Sequence, residues 1–299
     1  MTPRRPTRDS LDGRAYLDLQ NAARRAGRDT SEYLALYALE GFLTRLSQSR
    51  FAHLLVLKGG VLLVAYATRR PTRDIDLQAT GLSNEVDEVV ALTREIVALR
   101  RDDGLVFDPD SITGCDIRDE DPYAGVRVSI TAQLATALIV FHVDVNFGDP
   151  IWPEPVRIEL PLLLGGQTSL LGYPAHMILA EKIATAVERG TVNTRWRDFV
   201  GIVSIGTHTT VTGDDLRQAL CVVAAHRRVP LTPLRPLLKD FARNAQPKWR
   251  AWRRKQRLDG TTPADFHDLV EVCCDLADPA ILGQVSGSTW SNGTWTPTT

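Results

Sequence analysis

Apolar and polar positions recur along this chain in two rhythms, and the changes between them mark out its elements. Leu11, Ala15, Leu19, Ala22, Ala23 and Ala26 fall at helical spacing with basic residues between them, so residues 11–26 are predicted helical. Asp29 or Thr30 can cap a second helix, which carries Tyr33, Leu36, Tyr37 and Leu43 along one side and reaches about Ser47. Residues 53–57 form a short apolar run that reads as a buried strand. The run breaks at Lys58-Gly59-Gly60 and resumes as a helix to Ala67, and a second strand then carries Asp74 and Asp76. Val86, Val89, Val90, Ile96 and Val97 give a further helix over residues 84–100. The period then becomes two. Strands are predicted at 106–117, 126–134 and 138–147, with breaks at Asp121-Pro122, Gly125 and Ala135-Thr136 that suit hairpins, and a short strand at 156–160.

Past Pro161 the rhythm is helical again. Residues 174–189 open on a proline and close on Gly190, and helices are also predicted at 196–205, 214–226, 233–252 and 263–276. Residues 1–10 are Pro- and Arg-rich and expected to be disordered, while 284–299 lack charge and periodicity and read as a flexible tail. The fold class expected is an α/β (α+β) core with a mixed sheet, residues 11–160 including the N-terminal helices. A mostly α-helical C-terminal domain, 161–283, and the tail, 284–299, follow.

Composition narrows the picture rather than redrawing it. A formal net charge of −1 excludes a globally basic nucleic-acid binder but leaves local patches open. No apolar run approaches the ~20 residues of a membrane span, and MTPRRPTRDS lacks the apolar centre of a signal peptide. Cys115, Cys221, Cys273 and Cys274 form no CxxC pair, so they read as structural and a reducing cytoplasm is expected.

The chemistry concentrates between residues 55 and 78. Asp74 and Asp76, two apart on a strand, project from one face, and such a pair is costly without a cation. Hard oxygen ligands suit Mg²⁺, with Mn²⁺ as the alternative ion. The glycine turn upstream offers backbone N–H groups at a helix start, a seat for phosphate. Asp144 lies mid-strand among apolar neighbours and would complete a three-carboxylate metal site if its strand adjoins that of Asp74 and Asp76. Otherwise it lies on the exposed face of an edge strand. Lys58 and Arg73 flank the site as phosphate ligands or solvated strand-end charges, and Thr72 reads as loop.

A second constellation is electrostatic. Arg243, Lys248, Arg250, Arg253, Arg254, Lys255 and Arg257 share one stretch with Trp249 and Trp252 and no acidic residue. That pattern fits an RNA surface, with phosphate neutralisation and base stacking. The plain alternative is a solvated helix whose tryptophans pack inward. Arg69 and Arg70 extend the basic surface.

LKGG…TRDIDL, HVDVNFGD and AHMILAEKIATAVERG…TRWRDFVGI, in that order, resemble the AbiEii/AbiGii (MenT-type) nucleotidyltransferase toxins of toxin–antitoxin systems, within the DNA polymerase β-like superfamily. The resemblance spans roughly residues 15–275. The wider superfamily has Gly-Ser where this chain has Gly59-Gly60, and the KGG form suits the narrower family. The resemblance implies catalytic Asp74, Asp76, Asp144, Lys182 and Asp198. It implies nucleotide binding by Lys58, Gly59, Gly60, Arg73 and Lys182, and a metal held by Asp74, Asp76 and Asp144. The active site is then expected in a cleft between the domains. Without the resemblance, Lys182 would be a solvated lysine beside Glu181 or Glu188, and Asp198 a surface partner of Arg195 or Arg197. The implied reaction transfers NMP from an NTP to the tRNA 3′ end, which blocks aminoacylation and translation. A cognate antitoxin would be the partner, and Lys248, Arg250, Arg253, Arg254, Lys255 and Arg257 would contact RNA. The alternatives are nucleotidylation of a protein, either antitoxin or self, and a catalytically silent RNA- or antitoxin-binding protein.

Overall fold

The computed structural model describes residues 5–66, 72–117 and 125–298. Residues 1–4 of the expected disordered start, Arg69, Arg70 and the Asp121-Pro122 break lie outside the described residues. The chain divides into two compact units. The first is Met1–Ala65, Arg69–Asp149 and Val156–Gly172, and the second is Tyr66–Thr68, Pro150–Pro155 and Tyr173–Thr299.

The first unit runs α1 (Leu11–Arg25), α2 (Thr30–Gln48), β1 (Leu55–Lys58), α3 (Gly59–Tyr66), β2 (Asp74–Ala79), α4 (Val86–Val97), β3 (Leu105–Ile117), β4 (Gly125–Leu134), β5 (Ala137–Phe147), β6 (Val156–Pro161) and β7 (Gln167–Gly172). Ser10, within the stretch expected to be disordered, caps α1, its hydroxyl accepting from the Gly13 N–H. The strands form one mixed sheet in the order β3-β4-β5-β2-β1-β7-β6, with β2 parallel to β5 and β1 parallel to β7. Strand β7, beyond the expected boundary at 160, pairs with β6 and belongs to this sheet.

The alternation in β5 explains how the sheet is used. Ile139, Phe141, Val143 and Val145 are buried, and the Phe141 ring meets Phe42 of α2 edge-on at 6.2 Å. Helix α2 is buried along most of its length, so it forms the core of this unit. The other face of β5 carries Leu138, Val140, His142, Asp144 and Asn146, of which Leu138 and Val140 are exposed. The period of two thus sets the ionisable residues of β5 on the face away from α2.

The second unit runs α5 (Ala175–Arg189), α6 (Trp196–His208), β8 (Val211–Thr212), α7 (Gly213–Arg227), α8 (Leu234–Leu237), α9 (Phe241–Lys255), α10 (Phe266–Ile281), β9 (Ser288–Ser291) and β10 (Thr294–Pro297). Its core is aromatic. Phe266 lies within 5.1–5.5 Å of Trp196, Phe199, Phe241 and Trp249, measured between ring centroids. The helix expected over 233–252 is two helices, with Leu238 and Asp240 flanking the break.

The end of the chain departs from the expected featureless tail. β9 and β10 form a hairpin around Asn292-Gly293, both at positive φ, and β8 extends it to a three-stranded sheet. Trp290 is buried and donates its indole N–H to the Gly206 carbonyl, while Trp295 donates to the Leu276 carbonyl. Two large rings with satisfied N–H groups hold a segment that has no charge pattern. Among the described residues, no helix is long and apolar enough to cross a membrane.

His176 of α5 gives this unit a pH-dependent contact. Its Nε2 accepts from the Thr212 N–H at 3.1 Å, and the Thr212 hydroxyl also bonds Asp215. Burial lowers the His176 pKa below its ordinary 6.5, with Asp215 opposing. The folded chain therefore prefers neutral imidazole. The stability this contributes is complete above pH ~6.5 and is lost as pH falls below it, because the unfolded chain takes up the proton first. Urea unfolding at pH 7.5 and 5.5 is expected to show a lower midpoint at pH 5.5, with His176→Gln reducing the difference. An undiminished difference in the variant would remove His176 from the account.

Candidate active site

The strand register assembles the site. Lys58 of β1 pairs with Asp76 of β2, Asp76 with Asp144 of β5, and Asp144 with Arg127 of β4. One transverse row across four adjacent strands therefore reads cation, carboxylate, carboxylate, cation. Asp74 stands two residues before Asp76 on the same strand face, beside His142 in register, and His142 meets the Ser129 hydroxyl at 3.1 Å. The expectation that the strand of Asp144 adjoins that of Asp74 and Asp76 is met, and the edge-strand alternative is excluded by β4 on its other side.

Each member of the row is held. Arg127 donates from Nε to Asp144 Oδ1 at 2.8 Å and from Nη2 to Oδ2 at 2.6 Å, a two-bond fork, and the carboxylate raises the guanidinium's pKa. Lys58 is buried and donates to Asp149 Oδ2 at 2.7 Å. In the amide orientation that satisfies both ends of its side chain, Gln78 donates to the same oxygen at 3.1 Å and accepts from the Asp149 N–H at 3.2 Å. Among the described residues, Asp76 has neither a fork nor a direct cation contact. Burial pushes its carboxyl pKa up, Lys58 opposes, and the charges of Asp144 and Asp74 add to the rise.

Gly59 explains the close fit of this turn. Its φ is +70°, and a Cβ there would lie 1.8 Å from Asp76 Oδ2. The following N–H, that of Gly60, donates to Asp76 Oδ2 at 3.4 Å. The N–H expected to face phosphate thus already faces a carboxylate. Arg73 is exposed, and its backbone carbonyl accepts from His142 N–H. The Thr72 hydroxyl bonds Asp74 backbone atoms, the loop role expected of it.

Among the described residues no three His, Cys, Asp or Glu side chains are grouped to hold a metal ion. Asp144 is engaged at each oxygen by the Arg127 fork, while Asp74 and Asp76 make no such fork among the described residues and so offer the freer carboxylate oxygens. An adjoining pair of aspartates fits Mg²⁺, which takes one or two carboxylates and fills its other positions with water and substrate phosphate.

Lys182 and Asp198 lie in the second unit and pair with each other. Lys182 Nζ donates to Asp198 Oδ1 at 2.8 Å, and Arg195 Nε donates to Oδ2 at 2.8 Å. Burial raises the Asp198 pKa, but Lys182 and Arg195 outweigh it and the net shift is downward. Gly201 of α6 leaves the room that Lys182 uses, since a Cβ there would lie 2.8 Å from Lys182 Cε. Lys182 and Asp198 are both largely buried, so the solvated-lysine alternative does not hold, whereas the pairing of Asp198 with Arg195 is present and joins a buried carboxylate to a 40% exposed guanidinium.

The basic stretch on α9 divides. Trp249 is fully buried, stacks on Trp252 at 5.5 Å and donates its N–H to the Pro263 carbonyl, so its ring belongs to the core. Arg253 is mostly covered and bonds Thr262 and Asp259, closing the turn after α9. Lys248, Arg250, Arg254, Lys255 and Arg257 are exposed.

Arg195 was named only as a surface partner of Asp198, and Arg127, Asp149 and Gln78 were not singled out by sequence reasoning. Arg127 was within reach of it, because positions equidistant from the hairpin turn at 135–136 pair, and that symmetry joins 127 to 144.

Comparison with known proteins follows the same line. A family model described as nucleotidyl transferase AbiEii toxin, type IV TA system, matches residues 41–272. The fold is similar to MenT4, a nucleotidyltransferase toxin of Mycobacterium tuberculosis, at 21% identity over 90% of this chain and 99% of that one, with a TM-score of 0.50. JHP933 from Helicobacter pylori aligns at 14% identity over 82% of this chain and 91% of that one, with a TM-score of 0.47. No curated protein matches the chain.

Proposed function

The chain belongs to the AbiEii family of nucleotidyl transferase toxins of type IV toxin–antitoxin systems, and from that premise we propose that it transfers NMP from an NTP to the 3′ end of tRNA, blocking aminoacylation and translation. The observation that carries this reading is the row in which Asp76 and Asp144 adjoin in register with Asp74 beside them. In the reaction, the acceptor hydroxyl oxygen attacks the α-phosphorus. An O–P bond forms, the bond to the β-phosphate bridge breaks, and pyrophosphate leaves with the electron pair.

Asp74 and Asp76 hold Mg²⁺, or Mn²⁺ in its place, together with the triphosphate. The bound ion supplies charge neutralisation for the phosphates as the transition state develops. Asp144 accepts the proton of the acceptor hydroxyl. Lys182 binds phosphate as a compact cation, and Asp198 with Arg195 orients it. Lys58, Arg73 and the Gly59-Gly60 turn complete the nucleotide site. A cognate antitoxin is the partner that family membership implies, and the cytoplasm is the proposed location.

The exposed cations of α9 neutralise RNA phosphates. Arg250→Ala with Arg254→Ala is expected to weaken tRNA binding and to lower the slope of log affinity against log salt by roughly 0.7–0.9 per lost contact. NTP binding stays unchanged. Filter binding across a salt series measures this, and an unaltered slope would remove α9 from the RNA surface.

Incubation with each α-³²P-labelled NTP, Mg²⁺ and total tRNA tests the reaction. Label is expected in tRNA and absent when periodate has destroyed its 3′ diol. Label confined to protein would replace the tRNA reading with self- or antitoxin modification.

A further inference from the structure

Resting on the nucleotidyl-transfer reading of this site, we propose that His142, held by Ser129, binds the second hydroxyl of the acceptor's terminal ribose, so that the site selects an RNA end carrying a 2′-hydroxyl beside the attacking 3′-hydroxyl. His142 stands two residues before Asp144 on the same face of β5 and in register with Asp74 of β2. Ser129 is its register partner on β4, and the Ser129 hydroxyl meets His142 Nδ1 at 3.1 Å. That bond fixes the ring through the nitrogen nearer the backbone. Nε2, at the far end of the half-buried ring, has no partner among the described residues.

This nitrogen suits a hydroxyl in either tautomer. If Ser129 donates to Nδ1, Nε2 carries the proton and donates; if Nδ1 donates to Ser129, Nε2 accepts. A hydroxyl both donates and accepts, whereas a phosphate oxygen meets only the first case. Mg²⁺ takes oxygen ligands, which leaves the imidazole to the substrate.

Strand order points to the acceptor as that substrate. The glycine turn assigned to the nucleotide follows β1, on one side of β2, while β5 and β4 lie on the other. The attacking and leaving oxygens of phosphoryl transfer lie roughly in line across phosphorus, so the acceptor stands on the side away from the pyrophosphate. Side chains two apart on one strand face have Cα atoms about 6–7 Å apart, a gap that two vicinal hydroxyls bridge with a hydrogen bond at each end. Beyond His142 the same face runs over Val140 and Leu138, 57% and 74% exposed, with Thr131 and Gln133 alongside on β4. Neither strand carries a carboxylate beyond Asp144 in that direction, so nothing on them repels a polyanionic end.

Total tRNA rebuilt with a ribo or a 2′-deoxyribo terminal nucleotide, offered to the full chain with labelled NTP and Mg²⁺, tests this. The natural chain is expected to favour the ribo end by about 5–100-fold in kcat/KM, the range for one hydrogen bond to a partly covered group. His142→Asn, whose amide reproduces only the Nδ1 position, is expected to lose that preference by slowing on the ribo end alone. His142→Gln, whose amide reaches the Nε2 position, keeps most of it. Preference for NTP over its 2′-deoxy analogue is expected to be the same in all three. Equal use of both ends by the natural chain would overturn the proposal, as would an Asn variant that keeps the preference or alters the choice of NTP instead. Label in protein alone would overturn the transfer-to-RNA reading and this inference with it. Label in RNA with no 2′ dependence removes this inference and leaves that reading standing.

Discussion

Asp76→Asn is expected to reduce nucleotidyl transfer by about a thousandfold or more while leaving the chain at least as stable as before. Asparagine keeps the shape of the side chain, and its amide oxygen can still accept from the Gly60 N–H as Asp76 Oδ2 does. It removes a charge in the row that no cation among the described residues contacts directly. Because burial, Asp144 and Asp74 all raise the Asp76 pKa against the pull of Lys58, the folded chain holds this carboxylate at a cost. Neutralising it relieves that cost, as at other sites where activity is kept against stability. Steady-state kinetics and a thermal unfolding scan on one preparation check both halves. Retained activity would remove Asp76 from the chemistry, and a clear fall in unfolding temperature would show a structural role instead.

The second large effect is expected at Gly59→Ala. Alanine at φ +70° carries a backbone penalty of about 1–2 kcal/mol, and its methyl group would overlap Asp76 Oδ2 at 1.8 Å. The methyl can be accommodated only by moving the turn or the carboxylate. A displacement near 1 Å at a reacting group lowers rate by about a hundredfold, so kcat is expected to fall at least that far. Gly81 is the control. It has φ +67°, and a methyl group there would meet nothing within 4 Å, so Gly81→Ala carries the backbone penalty alone. Equal activity losses in the two variants would mean that strain, and not the approach to Asp76, explains the glycine.

The strand–turn–helix–strand unit was legible because its signals are local. An apolar run, a glycine pair and alternating aspartates lie within two dozen residues. What joins Asp76 to Asp144 and Arg127 is register, which depends on hairpin turns and on a parallel pairing between β2 and β5 that local sequence does not encode. Asp149 was hidden for a different reason. It follows Gly148, at φ +83° just past the end of β5, where no periodicity assigns a direction. The final hairpin did announce itself. Asn292-Gly293 between Thr289-Trp290-Ser291 and Thr294-Trp295-Thr296 is a two-residue turn signal, and the lack of charge around it drew attention away. On α9, a run of cations with two tryptophans reads identically whether the rings face water or the core. Burial of Trp249 against Phe266 separates the two.

Asp74 and Asp76 are proposed to hold a divalent ion for nucleotide chemistry. Anomalous diffraction from crystals grown with Mn²⁺ and a non-hydrolysable NTP addresses it most directly. The expected map has an ion peak ligated by carboxylate oxygens of both residues and by the triphosphate. A bound nucleotide with no ion at these two aspartates, or an ion seated elsewhere, would contradict it.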